Sequence, residues 1–254
     1  MNHEHYGKTC VNILNMAAAA RVREITEAMA EETNKTVQAG PFKGMKLPDA
    51  VSWGNGDICP KLLGTYEQEL HVAIETCIAR KPEYVVNVGC AEGYYAVGLA
   101  LRMPKVSVFS YDSDVNARSV VHDADHINNA GNICVNGKCH PQNLSNPDWD
   151  KTQHGLFVID IEGAELELLS GSRVPESLKR ADLIVECHDF VDPMITQSLQ
   201  DIYQDTHDIT IIREGPRDPS GFEVLKNLSS LDRGLAVCEF RPVAMHWLVA
   251  MAKQ

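Results

Sequence analysis

From residue 84 onward, short apolar runs alternate with amphipathic stretches along the chain. The runs fall at 84–89, 106–111, 132–136, 155–160, 182–187, 207–213 and 245–251. Each is rich in Val, Ile, Leu or aromatic residues and reads as a strand. Between them, spacing near 3.6 predicts helices at 93–102, 114–130, 164–170, 192–204 and 221–230. Regular alternation of this kind implies an α/β fold with a mainly parallel sheet covered on both faces. The last run, Met245 to Met251, predicts a late strand that enters antiparallel beside the strand before it. Upstream, Ile13, Leu14, Ala17, Val22, Ile25 and Met29 recur at near-helical spacing between Val11 and about Val37, predicting one or two helices. Gln38 to Gly64, with its glycines, prolines, Trp53 and Asn55-Gly56, reads as an irregular connector. Leu63-Gly64-Thr65-Tyr66-Glu67 then opens a helix, with Thr65 as its N-cap and Leu70, Val72, Ala73, Ile74 and Ile78 as its buried side. The expected division is a helical extension and connector over 1–62 and one larger domain over 63–254.

The break after the first strand is the most informative stretch. Tyr84-Val85-Val86-Asn87-Val88 meets Gly89-Cys90-Ala91-Glu92-Gly93 and passes into the helical pattern Tyr95, Val97, Leu99, Ala100. A strand that breaks at glycine and re-forms as a helix lets a ligand touch backbone at the strand's carboxyl end. A dinucleotide site requires G-x-G-x-x-G, the last glycine permitting close helix–strand packing around a pyrophosphate. Here those positions are Gly89, Ala91 and Tyr94, so the third is a bulky aromatic. The remaining G-x-A-x-G suits a nucleoside cofactor without a pyrophosphate, with S-adenosylmethionine (SAM) the obvious candidate. Tyr94 itself packs in the helix or closes over the cofactor. Glu92 stands where the helix dipole favours an acid whatever the function.

Charge and cysteine usage narrow the setting. The net charge of -12 argues against a chain held to nucleic acid by bulk electrostatics. None of the eight cysteines forms a C-x-x-C pair, and Cys134-x4-Cys139-His140 lacks a second half to close a tetrahedral site. That pattern fits free thiols in a reducing compartment. The amino-terminal stretch lacks the layout of a signal peptide, and no apolar run is long enough to span a bilayer. A cytoplasmic protein without a nucleic-acid or membrane partner is expected. The amino-terminal helices would serve as a lid or as a homodimer interface.

In an open parallel sheet, ligands bind beyond the carboxyl ends of the strands. The second strand ends at Asp112, an acid about 20 residues past the glycine turn, placed to hold ribose hydroxyls or to cap the helix beginning near Asp114. The fourth ends in Asp160-Ile161-Glu162-Gly163 and the fifth in Glu186-Cys187-His188. Alternation along a strand lets Asp160 and Glu162 point one way, and likewise Glu186 and His188. If these strands are neighbours, the two pairs converge on one cluster, which needs a proton or a cation to offset the acids. Asp160, Glu186 and His188 are therefore candidates both for catalysis and for a divalent metal such as Mn, Fe or Zn. Arg213-Glu214-Gly215-Pro216-Arg217 reads as a turn with two solvated arginines, or as a loop gripping an anion.

These segments resemble class I SAM-dependent methyltransferases and, more narrowly, the FkbM-type methyltransferase family. The resemblance rests on Val86 to Tyr95, Tyr111-Asp112, Asp160-Ile161-Glu162-Gly163-Ala164-Glu165, Ile184 to His188, and Leu63 to Glu67, and covers about residues 62 to 212. It implies a Rossmann-like, seven-stranded sheet with the last strand antiparallel, and SAM lying over the glycine turn. The implied cofactor-binding set is Tyr66, Glu67, Asn87, Gly89, Ala91, Gly93, Tyr94, Asp112 and Asp160. It further implies methylation of a hydroxyl on a small molecule such as a natural product or sugar. N-methylation and a non-catalytic SAM-binding protein stand as alternatives. Asn87 departs from the acid usual at its position; it keeps a hydrogen bond to cofactor or turn but loses the charge for the methionine ammonium, which Glu67 would supply. In-line methyl transfer to a hydroxyl needs a base. An imidazole of ordinary pKa makes His188 that base, with Asp160 orienting and Glu186 assisting or binding metal.

Overall fold

Each apolar run forms a strand within one residue of its expected bounds. In the computed structural model, which describes residues 3–49, 57–145, 149, 153–171 and 174–253, the strands are β1 (Tyr84–Val88), β2 (Ser107–Tyr111), β3 (Ile133–Asn136), β4 (Gly155–Ile159), β5 (Asp182–Glu186), β6 (His207–Arg213) and β7 (His246–Ala252). All residues of β1, β4 and β5 are buried, as strands covered on both faces must be. The sheet order is β3-β2-β1-β4-β5-β7-β6, with β7 antiparallel to both its neighbours and the other pairs parallel. The expected Rossmann-like α/β architecture is thus present. Because the chain moves outward from β1 through β2 to β3 and then returns to the other side of β1 with β4, the order reverses between β1 and β4. Such a switch point opens a crevice at the carboxyl ends of its two strands.

The helices are α1 (His3–Glu32), α2 (Ile58–Leu63), α3 (His71–Ala79), α4 (Tyr94–Arg102), α5 (Val115–Asn128), α6 (Glu165–Leu169), α7 (Glu176–Lys179), α8 (Ile195–Tyr203) and α9 (Ser230–Ala236). Two hydrophobic clusters flank the sheet. One joins α1, α2, α3 and α4 to β1 through Ile25, Met29, Leu62, Leu63, Ile74, Val85, Val97 and Leu99. The other packs Val86, Val88, Phe157, Ile159, Val185, Leu199 and Tyr203 beneath α6 and α8. The amino-terminal segment therefore shares a core with the sheet from Ile25 onward. No helix among the described residues is long and apolar enough to cross a membrane.

Several local expectations are corrected. Thr65 is not an N-cap: Gly64 ends α2 in the left-handed region, and Thr65 turns its hydroxyl back to the Pro60 carbonyl. Glu67, also left-handed at φ 46°, starts the short 3-10 turn Gln68–Leu70 that leads into α3. Val72 is exposed, whereas Ala73, Ile74 and Cys77 of α3 are buried and Ile78 packs partly buried against the same core. The helix expected over 221–230 is replaced by two 3-10 turns, Pro219–Gly221 and Glu223–Leu225, with a helix only from Ser230. Leu225 is buried and Phe222, Val224 and Leu228 pack partly buried against the same core, but Pro219 and Gly221 lead the segment into 3-10 turns. The connector residues Trp53, Asn55 and Gly56 lie outside the described residues.

Candidate active site

The crevice at the switch point is a cavity of about 440 Å³, in the range of small-molecule sites. Its floor is the glycine turn. Gly89 has φ 79°, and a Cβ there would overlap the Asp160 carbonyl at the end of β4. That close approach is the reason for glycine at this position. Ala91 and Gly93 are also left-handed, which curls the turn and starts α4. Asp112 closes one side: its carboxylate accepts the Ala91 N–H at 3.0 Å and the Asp114 N–H at 2.8 Å. The cap of α5 is Asp114 rather than Asp112, so Asp112 is left to brace the turn and face the cavity. Ser113, Cys139, Pro141, Ile161 and Leu168 complete a largely apolar flank.

Of the residues expected to hold a cofactor, Tyr66, Gly89, Ala91, Asp112 and Asp160 line this cavity. Gly93, Glu67, Asn87 and Tyr94 do not. Gly93 sits behind the turn against Val97 and Val121. Tyr94 is buried in a ring cluster, with Phe42, Tyr66 and Tyr95 at centroid distances of 5.2, 5.3 and 5.6 Å. Asn87 points into the sheet and donates to the Val158 carbonyl at 3.2 Å, while its buried Oδ1 has no partner among the described residues. Glu67 is buried among the hydroxyl of Tyr95, Arg241 at 2.6 Å and Glu186. Burial and the nearby Glu186 push its pKa up to about 7.

The strand-end pairs do converge, because β4 and β5 are adjacent. His188 is buried, its Nδ1 held 2.8 Å from Glu165 Oε1 and its Nε2 facing Glu162 at 3.4 Å, Asp160 at 3.8 Å and Glu186 at 3.9 Å. Burial works against its charge, but hydrogen bonds to Glu162 and Glu165 and the Asp160 charge outweigh it and raise the pKa to about 10. The ordinary imidazole expected from the sequence is instead an imidazolium at neutral pH, without a lone pair to act as base. Burial and the Asp160 charge push Glu186 up to about 9, so it keeps its proton beside Asp160. Burial first, then Glu67, raises Asp160 to about 6, against a hydrogen bond from Glu186 and the charge of His188. Asp160 is the member of the trio that is ionised near neutrality while still weakly basic. Asp160, Glu186 and His188 also offer donor atoms within 4.8 Å of one another, a set suited to a divalent cation.

Other members of the site carry little local signal in the sequence. Lys61, from α2, is buried with its Nζ between Asp57 at 2.6 Å and Glu92, and 4.5 Å from the centre of the Tyr66 ring. All four residues line the cavity. Burial opposes the Lys61 charge, and Glu92 and Asp57 overcome that and hold it above the ordinary lysine range. Arg241, on the β6–β7 connection, reaches Glu67, Glu186 and Glu239. Arg217 is partly buried, its guanidinium covered between Glu69 and Glu239, and is not the solvated turn residue expected. Phe190, Val191 and Met194 form an exposed apolar patch after β5, with the Phe190 ring 5.6 Å from His188.

No protein-family model and no curated relative matches the chain. Solved structures similar to it include a precorrin-6y C5,15-methyltransferase from Geobacter metallireducens GS-15, at 9% identity and TM-score 0.48 over 72% of this chain and 89% of that one. An rRNA methylase from Streptococcus thermophilus aligns at 12% identity and TM-score 0.49, over 73% and 97% of the two chains. A proposed O-methyltransferase from Klebsiella pneumoniae aligns at 11% identity and TM-score 0.49, over 92% and 90%. The class defined by strand order and strand-end cavity is a Rossmann-like α/β protein with a nucleoside-sized crevice.

Proposed function

We propose that this chain is a SAM-dependent methyltransferase acting on a hydroxyl of a small molecule. The observation that carries the reading is the cavity at the β1–β4 switch point. It combines a G-x-A-x-G backbone turn, a carboxylate after β2 and a proton-handling cluster after β4 and β5. The residues fit the cofactor: Asp112 uses one acceptor site on each oxygen for the turn, and a carboxylate has further lone pairs for ribose hydroxyls. The apolar flank of Cys139, Pro141 and Leu168 suits a purine.

When bound, SAM supplies a methyl group already activated on a sulfonium. The protein's part is to align the acceptor, exclude water and take one proton. Asp160 lines the cavity and takes that proton on a carboxylate oxygen. His188 serves as a fixed cation that steadies the ionised Asp160, itself oriented through Nδ1 by Glu165. Glu186, kept neutral, stands beside Asp160 at the end of the neighbouring strand. Phe190, Val191 and Met194 give an apolar acceptor body a place to lie beside the cluster. The surrounding acids disfavour an anionic acceptor such as nucleic acid.

The donor set favours a second version of the same reaction. Asp160, Glu186 and His188 would hold a divalent cation, which would act as a Lewis acid toward the acceptor oxygen. Arg241 pairs with Glu186 and would hold it in place beside such a cation.

The test is incubation with methyl-labelled SAM and a library of hydroxylated metabolites, with and without EDTA. Label on a hydroxyl supports the reading, and label on an amine redirects it to N-methylation. Adding a cell extract extends the screen, and SAM binding without transfer to any metabolite or extract component would make the chain a non-catalytic SAM-binding protein. Asp160→Asn is expected to lower kcat by about 10²–10⁴-fold, the usual worth of a general base, with SAM still bound. Unchanged turnover in that variant would remove Asp160 from the mechanism. Full activity in EDTA would remove an accessible metal.

A further inference from the structure

The amino-terminal half of α1 lies apart from the cavity and its proton chemistry. Arg21 pins the helix to the body through its paired bonds of 2.9 Å to Asp232, and Val22, Ile25 and Met29 are buried beyond it. Before that anchor, every residue from Cys10 to Arg21 is exposed except the half-buried Ala18. This overhang is about 18 Å of helix at 1.5 Å per residue. Its pattern is not that of a solvated helix. Val11, Leu14 and Ala18 continue, at spacings of three and four, the stripe that Val22, Ile25 and Met29 bury against the body. Ile13, Met16 and Ala20 make the opposite side apolar as well, where the docked half carries Arg23, Glu24, Glu27 and Glu31. A helix that is apolar all round is a buried one. Without core contacts, a stretch this short is also marginal in water on its own.

Charge selects what covers the overhang. No Asp, Glu, Lys or Arg occurs from Thr9 to Ala20, in a chain whose net charge is -12. Two such acidic molecules repel over most of their surfaces, and a charge-free belt is where they can meet. A lipid surface calls for a polar helix face rich in Lys and Arg, which this belt lacks. The area is sufficient too. Val11, Ile13, Leu14 and Met16 are each more than half exposed. Over two copies they offer about 1,000 Å² of apolar surface, and the alanines and asparagines between them bring a helix pairing to the about 1,200 Å² where specific interfaces begin. We propose that the overhangs of two copies pack on each other about a two-fold axis, making the chain a homodimer held by residues 10–21 of α1. A two-fold axis sets one patch against itself, so belt meets belt and the acidic bodies stay apart. The pairing is independent of the cofactor reading.

Sedimentation velocity on the full chain, from about 1 to 100 µM, tests the pairing by mass action. The wild type is expected at twice the chain mass at the upper end of that range, dissociating on dilution. Leu14→Glu and Met16→Glu each place a carboxylate in the belt, where pairing would bury it against its own copy. Each is expected to weaken the dimer by at least about 100-fold. Hydrogen exchange on the wild type needs no variant. Amides of residues 11–20 are expected to exchange slowly in the dimer and at least about tenfold faster once it is diluted apart. A wild type at single-chain mass throughout the range would overturn the proposal. So would a dimer that both variants leave intact, which would place the interface elsewhere, or amides in this segment whose exchange ignores concentration. Flotation of a monomeric wild type with phosphatidylcholine vesicles would also overturn it, and would reassign the overhang to a lipid surface.

Discussion

At the scale of single residues, Asn87 shows how a position can matter without touching a ligand. Its amide spans from β1 to the Val158 carbonyl on β4, across the same strand pair that opens into the cavity. Restoring the acid that the resembling family carries would replace the donating Nδ2 with an oxygen facing a carbonyl, in a fully buried place. Asn87→Asp is therefore expected to destabilise the fold by about 1–3 kcal/mol, the cost of an unsatisfied buried polar group. Chemical denaturation of the two proteins at neutral pH measures it; equal stability would show that the amide bond contributes nothing. His188 carries a related lesson. Its candidacy was legible because Glu186 and His188 alternate to one face of β5. Its protonation state was not, because Glu165 and Glu162, which hold the imidazole charged, come from the loop and helix after β4. Sequence spacing within one strand end predicts neighbours, whereas charge depends on every element that packs against the group.

At the scale of elements, strands were legible almost to the residue and helices less so. The central strands β1, β4 and β5 are wholly buried runs that no competing structure suits, and the edge strands β3 and β6, though partly exposed, keep enough apolar residues between turns to read the same way. The stretch over 221–230 packs Phe222, Val224, Leu225 and Leu228 against the core. Gly221, Asn227, Ser229 and Ser230 are weak helix formers, however, and Ser229 caps the helix that follows, so the chain turns through 3-10 geometry instead. Lys61, Glu92 and Arg241 eluded sequence reasoning because each owes its role to a partner far along the chain. The same reasoning divides α1. Val22, Ile25 and Met29 are buried, and Arg21 makes paired bonds of 2.9 Å to Asp232 near the start of α9, whereas Ile13, Leu14 and Met16 are exposed. Replacing Ile13, Leu14 and Met16 together by Gln is expected to move stability by less than about 1 kcal/mol in the monomer, as exposed substitutions do. Ile25→Ala is expected to cost about 2–5 kcal/mol. Thermal melts of both variants test the division, and a large loss from the triple exposed variant would mean that this face is covered in solution.

At the scale of the whole molecule, one buried charge network joins segments that the chain keeps far apart. Glu67 and Glu69 come from the turn before α3, Glu186 from the end of β5, and Arg217, Glu239 and Arg241 from the β6–β7 connection. Four carboxylates share two guanidinium groups, so the network holds protons that the unfolded chain would release. The sign follows from linkage. Glu67 is raised to about 7 and Glu186 to about 9, so between the ordinary carboxylate value and these the folded state binds more protons than the unfolded state. Stability must fall as pH rises through that window. His188, raised to about 10, acts in the same direction: its contribution is complete below the ordinary imidazole value and is lost as pH climbs toward 10. A tenfold difference in proton affinity between the folded and unfolded states is worth about 1.4 kcal/mol at most, and a chain of this size moves its Tm by roughly 2–4 °C per kcal/mol. The ligand-free protein is thus expected to melt several degrees lower at pH 8.5 than at pH 6. Glu67→Gln removes one proton-binding group while keeping a neutral partner for Tyr95 and Arg241, so its Tm should fall less steeply over the same range. A wild-type Tm that rises with pH would mean that Arg241 and Arg217 keep these carboxylates ionised, and that the network stores no excess protons.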